Sequence, residues 1–282
     1  MKEKIIVVIV GILLVVGAFF AGNWLSQRQK ADLQPIPKIT VKTPQDAQEK
    51  AGATAAAPGQ ADEAARIPIA ERYTDKSFDE LEQELSLLCR DLDQKDYIAA
   101  YKIDGGTFAH FNAILKRLAD RPPEVTGETR NMYTLLSNIS HFYRQMGLKN
   151  ITLTKDILAR EGERIEPAMA LLYAYLNQGI ASGKLNLKLI NLYEYAGFFL
   201  NTLGGRAYLL RRDSRTRILT TYYSILILDR ANQKGLNRHG LDILPPLELL
   251  MDDLRNYREL KGSDQYLAAL SDIRDKLKSQ RG

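Results

Sequence analysis

The sequence contains one cysteine, Cys89, and three histidines among its 282 residues. A single thiol excludes an internal disulfide and a zinc site built from several thiolates. His110, His141 and His239 each lack a second histidine or a cysteine at zinc-ligand spacing. Cys89 lies among leucines, so we expect a small buried side chain rather than a reactive thiol. The sequence therefore predicts no metal site and no cofactor.

Motifs of the common enzyme classes are also absent. The sequence has no GxSxG nucleophile elbow, no phosphate-binding P-loop and no GxGxxG dinucleotide motif. The net charge is only +5, and basic and acidic residues are mixed along the chain. Nucleic-acid-binding proteins usually concentrate basic residues on one face. These absences favour a protein that is not an enzyme and does not bind nucleic acid.

One long apolar run, residues 5–25, contains no charged side chain. As a helix it would be about 31 Å long, which matches a hydrocarbon core of roughly 30 Å. A cleaved signal peptide is the alternative, but its cleavage site needs small residues two positions apart. Ala18 and Ala21 are three apart, with phenylalanines between them. We therefore predict an uncleaved membrane anchor over residues 1–26.

The orientation of this anchor depends on the charges beside it. Basic residues flank the apolar run on both sides, and long domains are translocated largely regardless of such charges. An apolar segment that begins at residue 5 resembles an export signal. The sequence therefore predicts a single-pass protein of a bacterial-type inner membrane, with its carboxyl-terminal domain in the periplasm or outside the cell.

Small residues in the apolar run suggest a way for two copies to associate. Gly17 with Ala21, and Ala18 with Gly22, form two overlapping small-xxx-small pairs. Such pairs allow two membrane helices to approach closely. A homodimer through these four residues is a prediction of the sequence.

Residues 27–75 differ in composition from the segments before and after them. Prolines interrupt the segment, alanine is frequent, and no aromatic residue lies between Trp24 and Tyr73. Such a segment buries too little apolar surface to offset the entropy lost on ordering. We predict a flexible linker with an r.m.s. span of about 40 Å.

Residues 76–282 carry apolar residues at a helical period, and alternating strand patterns are almost absent. Ser77 and Glu80 form a capping box before the first helix, and Gly147 is an expected left-handed cap after the third. We predict an all-α domain, either a multi-helix bundle or a short stack of helical hairpins. The first three helices carry Phe78 to Leu92, Phe108 to Leu118 and Met132 to Met146. Further helices are expected at 153–161, 166–179, 185–203, 214–233, 246–261 and 263–280.

Glu194 is the candidate catalytic residue. It lies in the apolar stretch LYEYAGFF, and a glutamate in an apolar pocket can serve as a general acid. However, Lys184, Lys188, Asn191, Glu194 and Asn201 recur at helical spacing, which indicates the polar stripe of an amphipathic helix. An enzyme acting on a cell-envelope polymer, with Glu194 as its acid, is therefore an alternative hypothesis.

Five arginines lie within residues 206–217. The apolar face changes direction near Asp213 and Ser214, which predicts a helix break there. Arg211, Arg212 and Arg215 would then surround a helix junction, where they are candidates to bind an anionic ligand. The alternative is solvated arginines paired with neighbouring carboxylates.

Tyrosine is frequent, with 14 residues, and occurs in pairs at 173/175, 193/195 and 222/223. Tyrosine is favoured at protein interfaces, and one member of each pair is expected to be exposed. The sequence therefore predicts an interaction or scaffold protein, anchored in the membrane, that holds another envelope protein close to the bilayer.

Overall fold

The computed structural model describes residues 71–123, 131–202, 214–257 and 259–281. The predicted anchor at 1–26, the dimer residues Gly17, Ala18, Ala21 and Gly22, and most of the predicted linker lie outside these residues. Within the described part of the chain, no helix is long and apolar enough to cross a membrane.

The regular structure of the described residues is entirely helical, as the sequence predicts. Short 3₁₀ helices lie at Glu71–Tyr73 and Gly162–Arg164. The α-helices are α1 (Phe78–Asp93), α2 (Asp96–Ala99), α3 (Gly106–Asp120), α4 (Met132–Met146), α5 (Leu148–Arg160), α6 (Ile165–Ala181), α7 (Leu189–Thr202), α8 (Ser214–Gln233), α9 (Leu244–Asn256) and α10 (Ser263–Ser279).

The predicted capping box at the start of α1 is confirmed. The Ser77 hydroxyl accepts a hydrogen bond from the Glu80 amide, and the Glu80 carboxylate accepts one from the Ser77 amide. The buried face of α1 then repeats every three or four residues, and Cys89 is part of it, as expected. Local sequence therefore determines both the start of this helix and the face that it buries.

Three predicted boundaries are wrong by four or five residues, and one of them is the start of α7, at Leu189 instead of residue 185. Gly147 has φ 77° and ψ 146°, so it ends α4 without the predicted left-handed geometry. The chain then turns sharply, and α5 begins at Leu148 instead of residue 153. Helix α9 ends at Asn256 instead of residue 261, because Tyr257 adopts an extended conformation.

Helix α6 lies at the centre of the domain and packs against both α1 and α8. A glycine near the end of α6 leaves room for two side chains. A Cβ atom added at Gly179 would lie 2.0 Å from Leu185 Cγ, in the segment after α6, and 2.8 Å from Phe78 Cε2 in α1. The glycine thus allows both side chains to pack against α6.

A buried carboxylate joins α6 to the last helix. Glu166 accepts hydrogen bonds from the amides of Lys261 and Gly262, at 3.0 and 2.8 Å, and from the Tyr266 hydroxyl at 3.0 Å. The first turn of a helix has amides without a partner inside the helix, and a negative charge there is favourable. Glu166 therefore supplies acceptors at the start of α10 from a residue far away in sequence.

Candidate functional site

A partly open cavity of about 230 Å³ lies between α6 and α8, beside the first described residues of the chain. Tyr222 and Tyr223 are buried in its wall, whereas Tyr173 and Leu226 are half-buried. Its lining consists of Tyr73, Thr74, Ala170, Tyr173, Ala174, Asn177, Gln178, Tyr222, Tyr223 and Leu226. We call this space the tyrosine cavity.

The helical period explains why the cavity forms here. Ala170 and Ala174 are four residues apart on α6, so two small side chains share the face that meets α8. Opposite them, α8 contributes Tyr222 and Tyr223, whose ring centroids are 5.0 Å apart. The small side chains leave a gap that the large rings do not fill.

The lining chemistry favours binding over catalysis. Its titratable groups are phenols, and burial raises the pKa of Tyr73, Tyr173, Tyr222 and Tyr223 above the usual value. These hydroxyls therefore stay protonated at neutral pH and can donate hydrogen bonds, but they do not act as bases. The Asn177 amide is held in place because its Oδ1 accepts a hydrogen bond from Arg230.

The tyrosine pairs differ from the sequence prediction. We expected one exposed member in each pair, yet both members are buried at 193/195 and at 222/223. In the third pair Tyr175 is buried and Tyr173 is half-buried. The residues around them explain this difference, because α7 and α8 are buried on most sides and pack extensively against each other.

Glu194 is not part of an exposed polar stripe, and that interpretation of the sequence is wrong. Its side chain is 2% exposed and lies beneath the connection between α8 and α9. The carboxylate pairs with the Arg238 guanidinium, and its Oε2 lies 3.4 Å from His239 Nε2. Lys184 and Lys188, the first members of the predicted stripe, are exposed and precede α7.

Tyr193, which precedes Glu194, holds the same connection between α8 and α9 in place. The Tyr193 hydroxyl donates to Asn237 Oδ1 at 2.8 Å and accepts from the His239 amide at 3.1 Å. The His239 ring stacks on the Tyr193 ring with an interplanar angle of 4°. Glu194 therefore belongs to a network that holds this connection on α7. It is not among the lining residues of the tyrosine cavity, and its catalytic role stays a prediction.

Arg215 lies in the first turn of α8, which begins at Ser214, close to the predicted break. Its Nη2 donates to Glu259 Oε2 at 3.4 Å. Arg217 likewise forms an ion pair of 2.6 Å with Asp253. Arg211 and Arg212 lie outside the described residues. The arrangement of Arg215 matches the alternative of arginines paired with carboxylates, and anion binding stays a prediction.

The sequence singled out Tyr173, Tyr222 and Tyr223 as interface candidates but gave no role to Tyr73 or to the alanines of the cavity. The signal was present, because Ala170 and Ala174 have helical spacing, but their partners lie on a distant helix. No group of three or more metal-ligating side chains occurs among the described residues. Comparison with known proteins gave no matching family, no similar curated protein and no similar solved structure.

Proposed function

We propose that this chain is a membrane-anchored interaction protein without enzymatic activity, and that its helical domain holds a partner protein near the membrane. The observation that carries this proposal is the tyrosine cavity. Its described lining offers aromatic rings and amides, and includes no carboxylate, imidazole or thiol. Such a lining can bind a side chain, but it lacks the groups that transfer protons at neutral pH.

The size of the cavity favours a protein partner. Small-molecule sites usually enclose about 300–1,000 Å³, and this cavity is smaller at about 230 Å³. It has room for one or two side chains of a partner. Binding energy at protein interfaces is concentrated in a few aromatic or arginine side chains that fill such pockets. The tyrosine hydroxyls and the Gln178 amide add polar groups to the lining.

The membrane part of the proposal is supported by the sequence. The apolar run at 5–25 has the length of a membrane helix, and the linker composition of 27–75 suits a tether. The cavity opens beside Tyr73 and Thr74, where the proposed tether joins the domain. We place the chain in a bacterial-type inner membrane, with the domain in the periplasm or outside the cell and another envelope protein as its partner.

The test is photocrosslinking of the full chain in membranes. A photoreactive phenylalanine analogue at Gln178 would lie at the cavity, whereas the same group at Ala181 would lie on the exposed end of α6. We expect one defined adduct from position 178. The additional change Ala174→Trp fills the cavity and should remove that adduct while the helical circular dichroism is retained.

Two results would overturn the proposal. Equal adducts from positions 178 and 181 would show that the cavity is not the contact. An adduct that survives Ala174→Trp in a folded protein would show that no side chain enters the cavity.

A further inference from the structure

Charge is divided unequally between the first two parts of the helical domain. Residues 71–105, which include α1 and α2, contain ten Asp and Glu but five Lys and Arg. Residues 106–160, which include α3, α4 and α5, contain eight Lys and Arg but four Asp and Glu. We call α3, α4 and α5 the basic unit. The charges are thus less evenly mixed than the small net charge suggests.

Many basic side chains outside this unit form ion pairs, although some, such as Arg90 and Lys188, do not pair with a described carboxylate. Next to α1, for example, Lys76 pairs with Glu84 and Lys184 pairs with Asp79. In the basic unit, five exposed cations have no carboxylate among the described residues within ion-pair distance: Lys116, Arg117, Arg121, Arg144 and Lys149. None of these five cations therefore forms an ion pair with a described carboxylate.

Helix register places two of these cations at the same level. A hydrogen bond of 3.1 Å joins His141 Nε2 to the Arg121 carbonyl, and one of 2.7 Å joins His110 Nε2 to Asn150 Oδ1. The end of α3 therefore lies beside α4, and the start of α3 lies beside the start of α5, so α3 and α4 are antiparallel. With residue 121 beside residue 141, Arg117 on α3 comes level with Arg144 on α4.

Exposed apolar residues accompany the cations. Tyr133 and Leu136, in the first turns of α4, are 83% and 53% exposed, and Leu148 at the start of α5 is also exposed. Tyrosine is enriched at the level of lipid headgroups, and leucine inserts into the boundary with the acyl chains. Lysine and arginine are attracted to anionic lipid headgroups within about one Debye length.

We propose that the basic unit docks on the surface of an anionic phospholipid bilayer. Arg117 and Arg144 contact headgroup phosphates, and Tyr133 and Leu136 insert at the interface. A typical protein interface has few charges at its core, whereas here the exposed apolar side chains share a unit with cations that pair with no described carboxylate. This inference depends on the proposed function in one respect, namely that the anchor and tether keep the domain close to a bilayer.

The test uses the full chain in liposomes of phosphatidylcholine, with or without phosphatidylglycerol. Cys89 is buried, and burial raises the pKa of its thiol to about 12, so an introduced cysteine can be labelled selectively. An environment-sensitive fluorophore is attached at Leu136→Cys. The matched control is Leu87→Cys on the acidic helix α1, because Leu87 is 51% exposed and Leu136 is 53% exposed.

We expect a blue shift at position 136 only in liposomes that contain phosphatidylglycerol, and no lipid-dependent shift at position 87. Raising salt from about 0.1 to about 1 M shortens the Debye length from about 10 to about 3 Å and should reverse the shift. Each basic residue near the surface strengthens binding about five-fold. The triple variant K116Q/R117Q/R144Q should therefore dock about a hundred-fold more weakly and lose the shift.

Flotation of the same samples separates docking from anchoring. A chain that floats with both kinds of liposome but shows no lipid-dependent shift at position 136 overturns docking alone. A chain that floats only with phosphatidylglycerol contradicts the anchor and supports docking. Equal shifts at positions 136 and 87, or a shift produced by soluble polyglutamate instead of liposomes, would also show that lipid docking is wrong.

Discussion

Glu194 and Arg238 show how a single buried charge can fix a distant part of the chain. The Glu194 side chain is 2% exposed, whereas that of Arg238 is 60% exposed, so the guanidinium covers the carboxylate from the solvent side. A carboxylate that has lost its partner inside a protein is costly, because neither water nor a counter-charge replaces the guanidinium. The second partner, His239, contacts the other carboxylate oxygen.

We predict that Arg238→Ala lowers the free energy of unfolding by about 1–3 kcal/mol, as expected for a buried charged group left without its partner. Arg255→Ala is the matched control, because Arg255 pairs with the exposed Asp252, and surface ion pairs contribute about 0–1 kcal/mol. Urea unfolding of both variants measures the difference. Equal losses would contradict the structural role of the Glu194 network.

The Cys89 thiol makes folding sensitive to alkaline pH. Burial, and less strongly the charge of Asp93, raise its pKa from 9.0 to about 12. Between these values the unfolded chain releases the proton while the folded chain keeps it. The contribution of the protonated thiol to the free energy of unfolding is therefore fully present below pH 9. It is lost as the pH rises towards 12, by up to about 1.4 kcal/mol per pH unit.

We predict that the free energy of unfolding falls between pH 9 and 11, and that it falls less steeply in Cys89→Ala. The variant is also less stable at pH 8, since it leaves a small cavity in the face of α1. Buried tyrosines such as Tyr195, whose pKa is also raised by desolvation, add to the fall in both proteins. Identical slopes in urea unfolding series would show that the thiol does not contribute.

At the scale of the helix, close packing and helix propensity oppose each other at Gly179. Alanine is favoured over glycine inside a helix by about 1 kcal/mol. However, the added Cβ would overlap Leu185 and Phe78, and overpacking usually costs about 1–3 kcal/mol. We expect the overlap to exceed the gain in propensity.

We therefore predict that Gly179→Ala destabilises the domain by about 1–2 kcal/mol in thermal unfolding. Ala181→Gly, on the exposed end of the same helix, tests propensity alone and should cost about 0.5–1 kcal/mol. Helix propensity favours Gly179→Ala and disfavours Ala181→Gly. If packing dominates at Gly179, both variants are nevertheless less stable than the wild type. A stabilised Gly179→Ala protein would show that the Leu185 and Phe78 side chains can move aside at little cost.

Individual helices also show what the sequence could and could not predict. The apolar period and capping box of α1 are local signals, and the bounds of α4 and α8 were predicted for the same reason. Burial of Glu194 was not predictable, because it depends on the connection that carries Arg238 and His239, more than 40 residues later. The tyrosine cavity depends on how α6 packs against α8, and local sequence patterns do not predict the packing of two separate helices.

At the scale of the whole molecule, the described helices share one core. Its buried residues extend from Phe78 in α1 to Leu270 in α10. The last helix belongs to this core, because Tyr266 and Leu270 are fully buried. The Tyr266 ring lies 4.4 Å from the Tyr222 ring in α8, and its hydroxyl contacts Glu166 in α6. The tyrosine cavity is therefore supported from behind by α10.

We predict that a chain ending at Leu260 does not form the native fold at 25 °C. Truncation removes Tyr266 and Leu270 and exposes the surfaces that they cover. Burial of a large apolar side chain of this kind contributes about 1.5–3 kcal/mol to the free energy of unfolding. Truncation also leaves the Glu166 carboxylate without the Gly262 and Tyr266 donors. The combined loss, about 5 kcal/mol or more, is comparable with the whole stability of a typical domain.

The control is a chain that ends at Ser279, which removes Gly282, the exposed residues Gln280 and Arg281, and the surface ion pair between Arg281 and Asp242. Its thermal midpoint should change little. Calorimetry and near-ultraviolet circular dichroism of both truncations distinguish the cases. A cooperative unfolding transition in the chain that ends at Leu260 would show that the fold does not require α10. In that case the tyrosine cavity would not depend on it for support.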